Sequence, residues 1–144
     1  MATLGIRPFE SADAPRLAEI LARNGQYAYP DVEGPAAMRR VAGCEAAVFL
    51  VAERDGAVVG FVRAVYDGGR ALIHLLSVHP DAARQGVGTA LVLAVEAELA
   101  RRGAPGAMVP VTEDSAGFWG RQGYQNLPVR VMLKPRFGPG SAER

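Results

Sequence analysis

The chain has 144 residues, which is the size of one domain and too short for two independent catalytic domains. Hydrophobic residues make up 49% and charged residues 22%, a composition that predicts a packed globular core and excludes a disordered or fibrous chain. The 16 basic and 15 acidic residues leave a net charge of +1, too small to hold a nucleic-acid backbone or an anionic membrane by charge alone. We therefore expect neither nucleic acid nor a membrane as a partner.

Cysteine usage and apolar runs indicate the compartment. Cys44 is the only cysteine, so an internal disulfide and a thiolate zinc cluster are excluded, and we expect it to be a small buried hydrophobe. No Cys or Glu joins His74 and His79 at a usable spacing, so we predict no metal site. The opening residues lack the apolar stretch of a signal peptide, and no apolar run is long enough to span a bilayer. The sequence thus predicts a cytoplasmic protein.

Hydrophobic periodicity predicts a mixed α/β order of strand, two helices, three strands, helix, strand, helix and strand. The predicted strands are residues 4–8, 47–54, 57–66, 70–78, 108–111 and 129–133. A first helix is predicted directly after a cap at 11–13, and three further helices are predicted over 35–43, 85–102 and 115–122. Residues 23–34 are predicted as a loop. We expect a single domain over residues 1–137 and a disordered tail over 138–144.

The stretch from the fourth strand into the long helix carries the clearest chemical signal. Arg84 stands at the positive end of the helix dipole, and no acidic residue follows in the first turn. Gly86 and Gly88 leave backbone amides uncovered, as a phosphate approaching a helix N-terminus requires, although a tight strand-to-helix turn is the alternative reading. Thr89 rather than Lys follows the last glycine, which excludes a nucleotide P-loop. Leu91 takes the place of a third glycine, which excludes a dinucleotide fingerprint.

The segment ARQGVG, residues 83–88, resembles the pyrophosphate loop Q/R-x-x-G-x-G/A of the GNAT superfamily of acetyl-CoA-dependent N-acetyltransferases. The resemblance covers nearly the whole chain, because IRPFESADAPRLAEIL resembles the first strand and helix of the family and SAGFWGRQGY its late helix and turn. The chain departs from the family at five positions. Ala83 replaces Gln or Arg, Thr112 replaces Asn, Ser115 replaces Ala, Trp119 replaces Tyr and Tyr124 replaces Phe.

The resemblance implies an α/β fold of the GNAT type, with a mixed, mostly antiparallel sheet splayed between strands 4 and 5 and flanked by about four helices. In this fold pantetheine lies in the gap, where the amide of Leu76 would face the thioester carbonyl and Val78 would pair with the pantetheine arm. Pro110 independently favours a missing partner there, because it cannot donate a ladder hydrogen bond. The cofactor-binding residues implied for acetyl-CoA are Leu76, Ser77, Val78, Arg84, Gln85, Gly86, Val87, Gly88, Thr89, Thr112, Ser115, Phe118 and Trp119.

Acetyl transfer needs a base for the amine and a proton for the leaving thiolate. His74 is the candidate base, because it lies on the central strand and has a pKa near neutrality, although a hydrogen-bonded core or rim histidine is the alternative. The indole of Trp119 is not an acid, so Ser115, Tyr124 and water are the candidate proton donors. His79 is expected in a turn.

The acceptor pocket is predicted in the loop 23–34. Tyr27, Tyr29, Asp31 and Glu33 combine aromatic faces with carboxylates that attract an ammonium group, although a solvated loop with buried tyrosines is the alternative. We predict direct transfer of acetyl from acetyl-CoA to a primary amine of a small molecule or peptide in a ternary complex, and family resemblance adds a homodimer as an expectation. Two alternatives are a non-catalytic CoA-binding or regulatory module and a degenerate domain that acts through protein contacts.

Overall fold

The computed structural model describes residues 3–138, which form two compact units, 3–109 and 110–138. The predicted tail over 138–144 lies outside the described residues except for Gly138. The prediction of one functional domain over residues 1–137 stays a prediction.

The first unit is built on a four-stranded antiparallel sheet in the order β1-β2-β3-β4. The strands are β1 (Leu4–Pro8), β2 (Ala47–Arg54), β3 (Ala57–Tyr66) and β4 (Ala71–Val78). Asp55 and Gly56 join β2 to β3 with φ angles of 54° and 78°, the two left-handed residues that a tight hairpin of this type requires. Three strand predictions are therefore confirmed to the residue, and the fourth begins one residue later than predicted.

Four helices surround this sheet: α1 (Ala14–Arg23), α2 (Pro30–Glu33), α3 (Pro35–Ala42) and α4 (Val87–Arg101). Phe61 of β3 packs in a cluster with α1 and α3, whereas a Cβ on the adjacent Gly60 would meet Leu91 and Val87 of α4 at 3.2 Å. Successive strand residues point to opposite faces, so α1 and α3 cover one face of the sheet and α4 covers the other. The sheet is buried between two helical layers.

Two predicted strands did not form. At 108–111 there is only a parallel bridge, in which Met108 bonds to Ala71 and Ile73 of β4 at 2.9 and 2.8 Å. Residues 129–133 have no strand structure, and Val131 and Met132 are 80% and 87% exposed. An alternating apolar pattern makes a strand only when it pairs with another strand, and no ladder partner for 129–133 occurs among the described residues. Over its described residues, the second unit instead contains a 3₁₀ turn at Glu113–Ser115 and the short helix α5 (Ala116–Arg121).

Two further expectations are corrected. Residues 30–33, predicted as loop, form the single turn α2, because Pro30 supplies the φ angle of a first helical position. Cys44 is exposed rather than buried, since it lies in the surface turn between the end of α3 and β2. Over residues 3–138, no helix has the length and apolar character that crossing a membrane requires. The same residues contain no group of three His, Cys, Asp or Glu side chains placed to hold a metal ion.

Candidate active site

The site begins at an irregularity in β4. Arg63 of β3 pairs with Leu75 and the next residue, Ala64, pairs with Ile73, so His74 is an extra residue in the ladder. Such a bulge turns the strand and re-aims its side chains, and bulges are common beside functional sites. Before the bulge, the amide of Ile73 donates to Met108 O across the edge of β4 that is opposite β3. Within the first unit, this is the last such bond along β4.

The edge of β4 beyond the bulge is formed by Leu76 and Val78. The amide of His79 donates to the carbonyl of Val59 on β3 at 2.8 Å. Because backbone groups alternate sides along a strand, the N–H and C=O groups of Leu76 and Val78 point away from β3. Two N–H donors therefore stand on an edge that pairs with no other strand of the first unit.

The carbonyls of that edge are occupied by two carboxamides that follow α1. Asn24 Nδ2 donates to Val78 O at 2.8 Å, and Gln26 Nε2 donates to Leu76 O at 3.3 Å. Ser77 is buried, and its hydroxyl accepts from Asn24 at 2.8 Å and donates to Gln26 at 2.6 Å. Ser77 therefore turns its side chain to the protein. The edge offers donors at Leu76 and Val78 while its acceptors are satisfied internally.

The loop between β4 and α4 has an unusual backbone. Arg84 has a φ of 62° and Gly86 a φ of 81°. Two left-handed residues, separated by one residue, therefore immediately precede Val87, where α4 begins. Alternating conformations of this kind point successive N–H groups toward one concave point and form an anion-binding nest. For a non-glycine residue such as Arg84, this conformation is strained, and strain of this kind concentrates at functional sites.

The electrostatics of this loop also favour an anion. The first turn of α4 contains no acidic residue, and Gly86 gives the helix no side-chain cap. A Cβ built on Gly86 would meet no atom within 4 Å, so the space beside its backbone is open. Arg54 from the β2–β3 hairpin donates to the Gln85 carboxamide and adds a positive charge beside the loop. The helix was predicted to begin at residue 85. It begins at Val87 because left-handed Gly86 is its N-cap.

His74 contacts a buried arginine. The Nη2 atom of Arg63 lies 3.0 Å from Nδ1 of His74, and Nη1 of Arg63 donates to Val32 O at 3.0 Å. Burial is the main cause that lowers the pKa of His74, the positive charge of Arg63 lowers it further, and Glu33 opposes both. Burial and the contact with a donor-only guanidinium therefore both favour the neutral imidazole. By contrast, Nδ1 of His79 accepts from the amide of Asp81 at 3.1 Å, which confirms the predicted turn role.

The four predicted acceptor residues divide into two groups. Glu33 is buried, and its carboxylate accepts from the amide of Tyr29 at 2.9 Å and from that of Ala28 at 3.4 Å. It therefore fixes the loop and does not face the solvent. Tyr29 is 42% exposed and Asp31 is exposed, whereas Tyr27 is half-buried. An aromatic face and a carboxylate thus remain at the surface of this loop.

The second unit contains the remaining candidates. Thr112 and Ser115 form a reciprocal capping box, in which the amide of Ser115 donates to Thr112 Oγ1 at 3.3 Å and the amide of Thr112 donates to Ser115 Oγ at 3.1 Å. The buried ring of Trp119 makes edge contacts with Phe118 and Tyr124, with ring centroids 5.2 and 5.1 Å apart. Ser115 starts the helix, and Trp119 is the centre of an aromatic cluster.

A sequence model described as the acetyltransferase (GNAT) family matches residues 14–124, which is more than half of the chain. The chain belongs to the GNAT acetyltransferase family. Its GNAT fold is also found in a PaiA N-acetyltransferase from Thermoplasma acidophilum in complex with coenzyme A, at 16% identity and a TM-score of 0.80, covering 89% of this chain and 93% of that one. The expected fold, a mostly antiparallel sheet flanked by helices, is confirmed, with fewer strands than predicted.

Two other solved structures share the GNAT architecture. A GCN5-related N-acetyltransferase from Rhodopseudomonas palustris, whose description also reads "Aminotransferase, Class-II", is 28% identical with a TM-score of 0.68, and the match covers 83% of this chain and 80% of that one. An aminoglycoside 6'-N-acetyltransferase from Acinetobacter haemolyticus is 18% identical with a TM-score of 0.76, and the match covers 93% and 99%. Family and fold together support acetyl transfer as the general activity of this GNAT protein.

Proposed function

We propose that this protein transfers the acetyl group of acetyl-CoA to a primary amine of a small molecule. The observation that carries the proposal is the loop from Arg84 to Gly86, in which two left-handed residues lead into a helix that has no acidic residue in its first turn. A nest of amides at a helix N-terminus suits a diphosphate, because the amides donate hydrogen bonds and the helix dipole favours the negative charge.

The residues present fit coenzyme A. The open space at Gly86 lets a phosphate approach the backbone amides between Arg84 and Thr89. Farther along, the N–H groups of Leu76 and Val78 would hold the pantetheine arm as an added strand, the mode by which an extended ligand binds an uncovered sheet edge. The structure of the PaiA protein, a relative in fold, contains coenzyme A.

Acetyl-CoA would supply the acetyl group as an activated thioester. The amine would attack the carbonyl carbon of this thioester, and the C–S bond would break. The amide of Leu76 would donate to the carbonyl oxygen, where negative charge develops during attack. The amine must lose a proton and the thiolate must gain one or leave as the anion. Ser115, Tyr124 and water remain the proposed sources of that proton, and direct attack by the amine requires no acyl-enzyme intermediate.

The acceptor is proposed to be a small amine bound by the loop that holds Tyr29 and Asp31. Their exposed ring and carboxylate suit an ammonium group, through cation–π contact and charge attraction. Aminoglycoside acetyltransferases among the proteins of the same fold agree with a small-molecule acceptor. A cytoplasmic location and a homodimer remain proposals that accompany this one.

The test is a panel of amines with acetyl-CoA, in which release of free thiol is followed over a background without acceptor. We expect thiol release that requires a particular amine and yields the acetylated product by mass spectrometry. Calorimetry with CoA is run in parallel. Binding without turnover over a broad panel would support the CoA-binding module instead, and absence of both would support a domain that acts through protein contacts.

A further inference from the structure

The Arg63 side chain is buried in the first unit, and its bonds join three elements. Arg63 is 7% exposed and stands on β3, while its guanidinium contacts His74 of the β4 bulge and the carbonyl of Val32 in α2. Burial is the main cause that lowers the pKa of Arg63, and the nearby charge of Glu33 opposes it. A guanidinium remains protonated in proteins, so this position holds a permanent cation.

The contact between Arg63 and His74 fixes where the proton lies on the imidazole. A guanidinium has only donors, so its 3.0 Å contact with Nδ1 requires the lone pair of that nitrogen. A neutral imidazole carries one proton, which must then be on Nε2. In this state neither ring nitrogen presents a free lone pair to the amine, because Nδ1 accepts from Arg63 and Nε2 carries the proton.

The geometry points to Arg63 as a positioning residue that holds His74 as an Nε2–H hydrogen-bond donor, so that His74 is not the general base of the transfer. This inference rests on the proposed function and replaces the expectation from the sequence. The half-buried ring would offer its Nε2–H to an oxygen of a bound substrate, either the acceptor or the thioester. The amine would lose its proton to water or another group.

The same arginine links the histidine to the acceptor loop. Its second bond, to Val32 O, holds α2, and the carboxylate of Glu33 binds the amides of Tyr29 and Ala28 in the preceding turn. The charged groups that face the imidazole are Arg63 from β3 and Glu33 from α2. Arg63 and burial lower the pKa of His74, whereas Glu33 raises it. The balance favours the neutral ring.

The direct test is a long-range proton–nitrogen NMR spectrum of the ¹⁵N-labelled full chain, recorded near pH 8. The chain has only two histidines, and in His79 the Nδ1 atom also accepts, from the amide of Asp81. We expect both rings to show a bare Nδ1 and a protonated Nε2, with the His74 signals assigned by their loss in His74→Gln. A protonated Nδ1 on His74 in the unaltered protein would overturn the proposal, and this result requires no variant of Arg63.

Arg63→Met tests the cause of the tautomer. We expect the His74 signals to move toward a mixture of tautomers and the pH at which the ring titrates to rise, while the His79 signals stay in place as an internal control. Unchanged His74 signals in a folded Arg63→Met protein would show that Arg63 does not position the ring. Arg63→Lys is the second variant, chosen because it keeps the charge but loses the planar fork that contacts two partners.

Kinetics separate a donor from a base. His74→Ala removes both roles, whereas His74→Gln places an amide N–H near the position of Nε2 and cannot act as a base. For a neutral donor we expect kcat/KM to fall about five- to tenfold in His74→Ala and to recover mostly in His74→Gln, with the pH profile unchanged. For a base, both variants would fall together by about a hundredfold or more, which would contradict the proposal. If no amine is acetylated, the proposed function fails while the NMR result still decides the tautomer.

Discussion

Replacing Gly86 with alanine tests the anion-binding loop with a single methyl group. The backbone of Gly86 has a φ of 81°, and the added Cβ would meet no protein atom within 4 Å. The folded protein therefore has room for the methyl group, and the cost is confined to the left-handed conformation, which is about 1–2 kcal/mol for a residue with a Cβ. We expect Gly86→Ala to fold and to be moderately less stable.

The effect of this substitution on CoA affinity should exceed its effect on stability. The methyl group would occupy the open space through which a phosphate approaches the amides beside Gly86. Loss of one hydrogen bond to a charged group costs about 1.5–3 kcal/mol, which corresponds to roughly a ten- to hundredfold rise in the Kd for CoA. Titration calorimetry measures this Kd directly. The salt concentration is kept fixed, because ions screen the phosphate contribution to binding.

Gly103→Ala is the matched control for Gly86→Ala. Gly103 has a φ of 105° and lies beyond the other end of α4, so the whole 15-residue helix, about 22 Å long, separates it from Gly86. It carries the same kind of backbone cost, and the nearest atom to an added Cβ is the Tyr66 hydroxyl at 3.8 Å. We expect similar losses of stability in both variants and a loss of CoA affinity only in Gly86→Ala. Equal Kd values for the two variants would refute the assignment of the loop to the diphosphate.

Two further predictions concern contacts that the sequence did not reveal. Ser77→Ala should lower the free energy of unfolding by about 1 kcal/mol in urea and leave the Kd for CoA unchanged, because its hydroxyl bonds to Asn24 and Gln26. A large change in Kd with unchanged stability would contradict this. Asp13→Asn should lose about 1–3 kcal/mol at pH 7, since Arg7 bonds both carboxylate oxygens at 2.9 Å. Arg7 lowers the pKa of Asp13 below 3.8, so the stability due to this pair is present above that pH and lost as pH falls through the lowered pKa. The free energy of unfolding of Asp13→Asn should therefore depend less on pH in the acid range than that of the unaltered protein. An unchanged acid transition would contradict this prediction.

Local signals explain why part of this fold was predictable. The turn formers Asp55 and Gly56 between two β-branched runs fixed the β2–β3 hairpin, and helical spacing placed α4. The anion loop was also predictable, because the glycines lie within a few residues of the helix that they serve. Its strain at Arg84 was not, since a left-handed conformation of a non-glycine residue depends on the surrounding structure.

The less predictable features depend on contacts between residues distant in sequence. Asn24 reaches Val78 across 54 residues, and only the packing of α1 on the sheet brings them together. The pairing of Arg63 with His74 likewise requires the β4 bulge, which moves the register by one residue. The carboxamides of Asn24 and Gln26 on either side of Gly25 were the available signal for the contact with Val78. Nothing in the sequence indicated the contact between Arg63 and His74.

A crystal structure of the protein with acetyl-CoA bound most directly decides whether the β4–α4 loop is a diphosphate site. We expect both phosphates within hydrogen-bonding distance of the amides between Arg84 and Thr89, with the pantetheine arm along Leu76 and Val78. Acetyl-CoA bound elsewhere, with side chains of the protein filling the concavity at Gly86, would contradict the central assignment.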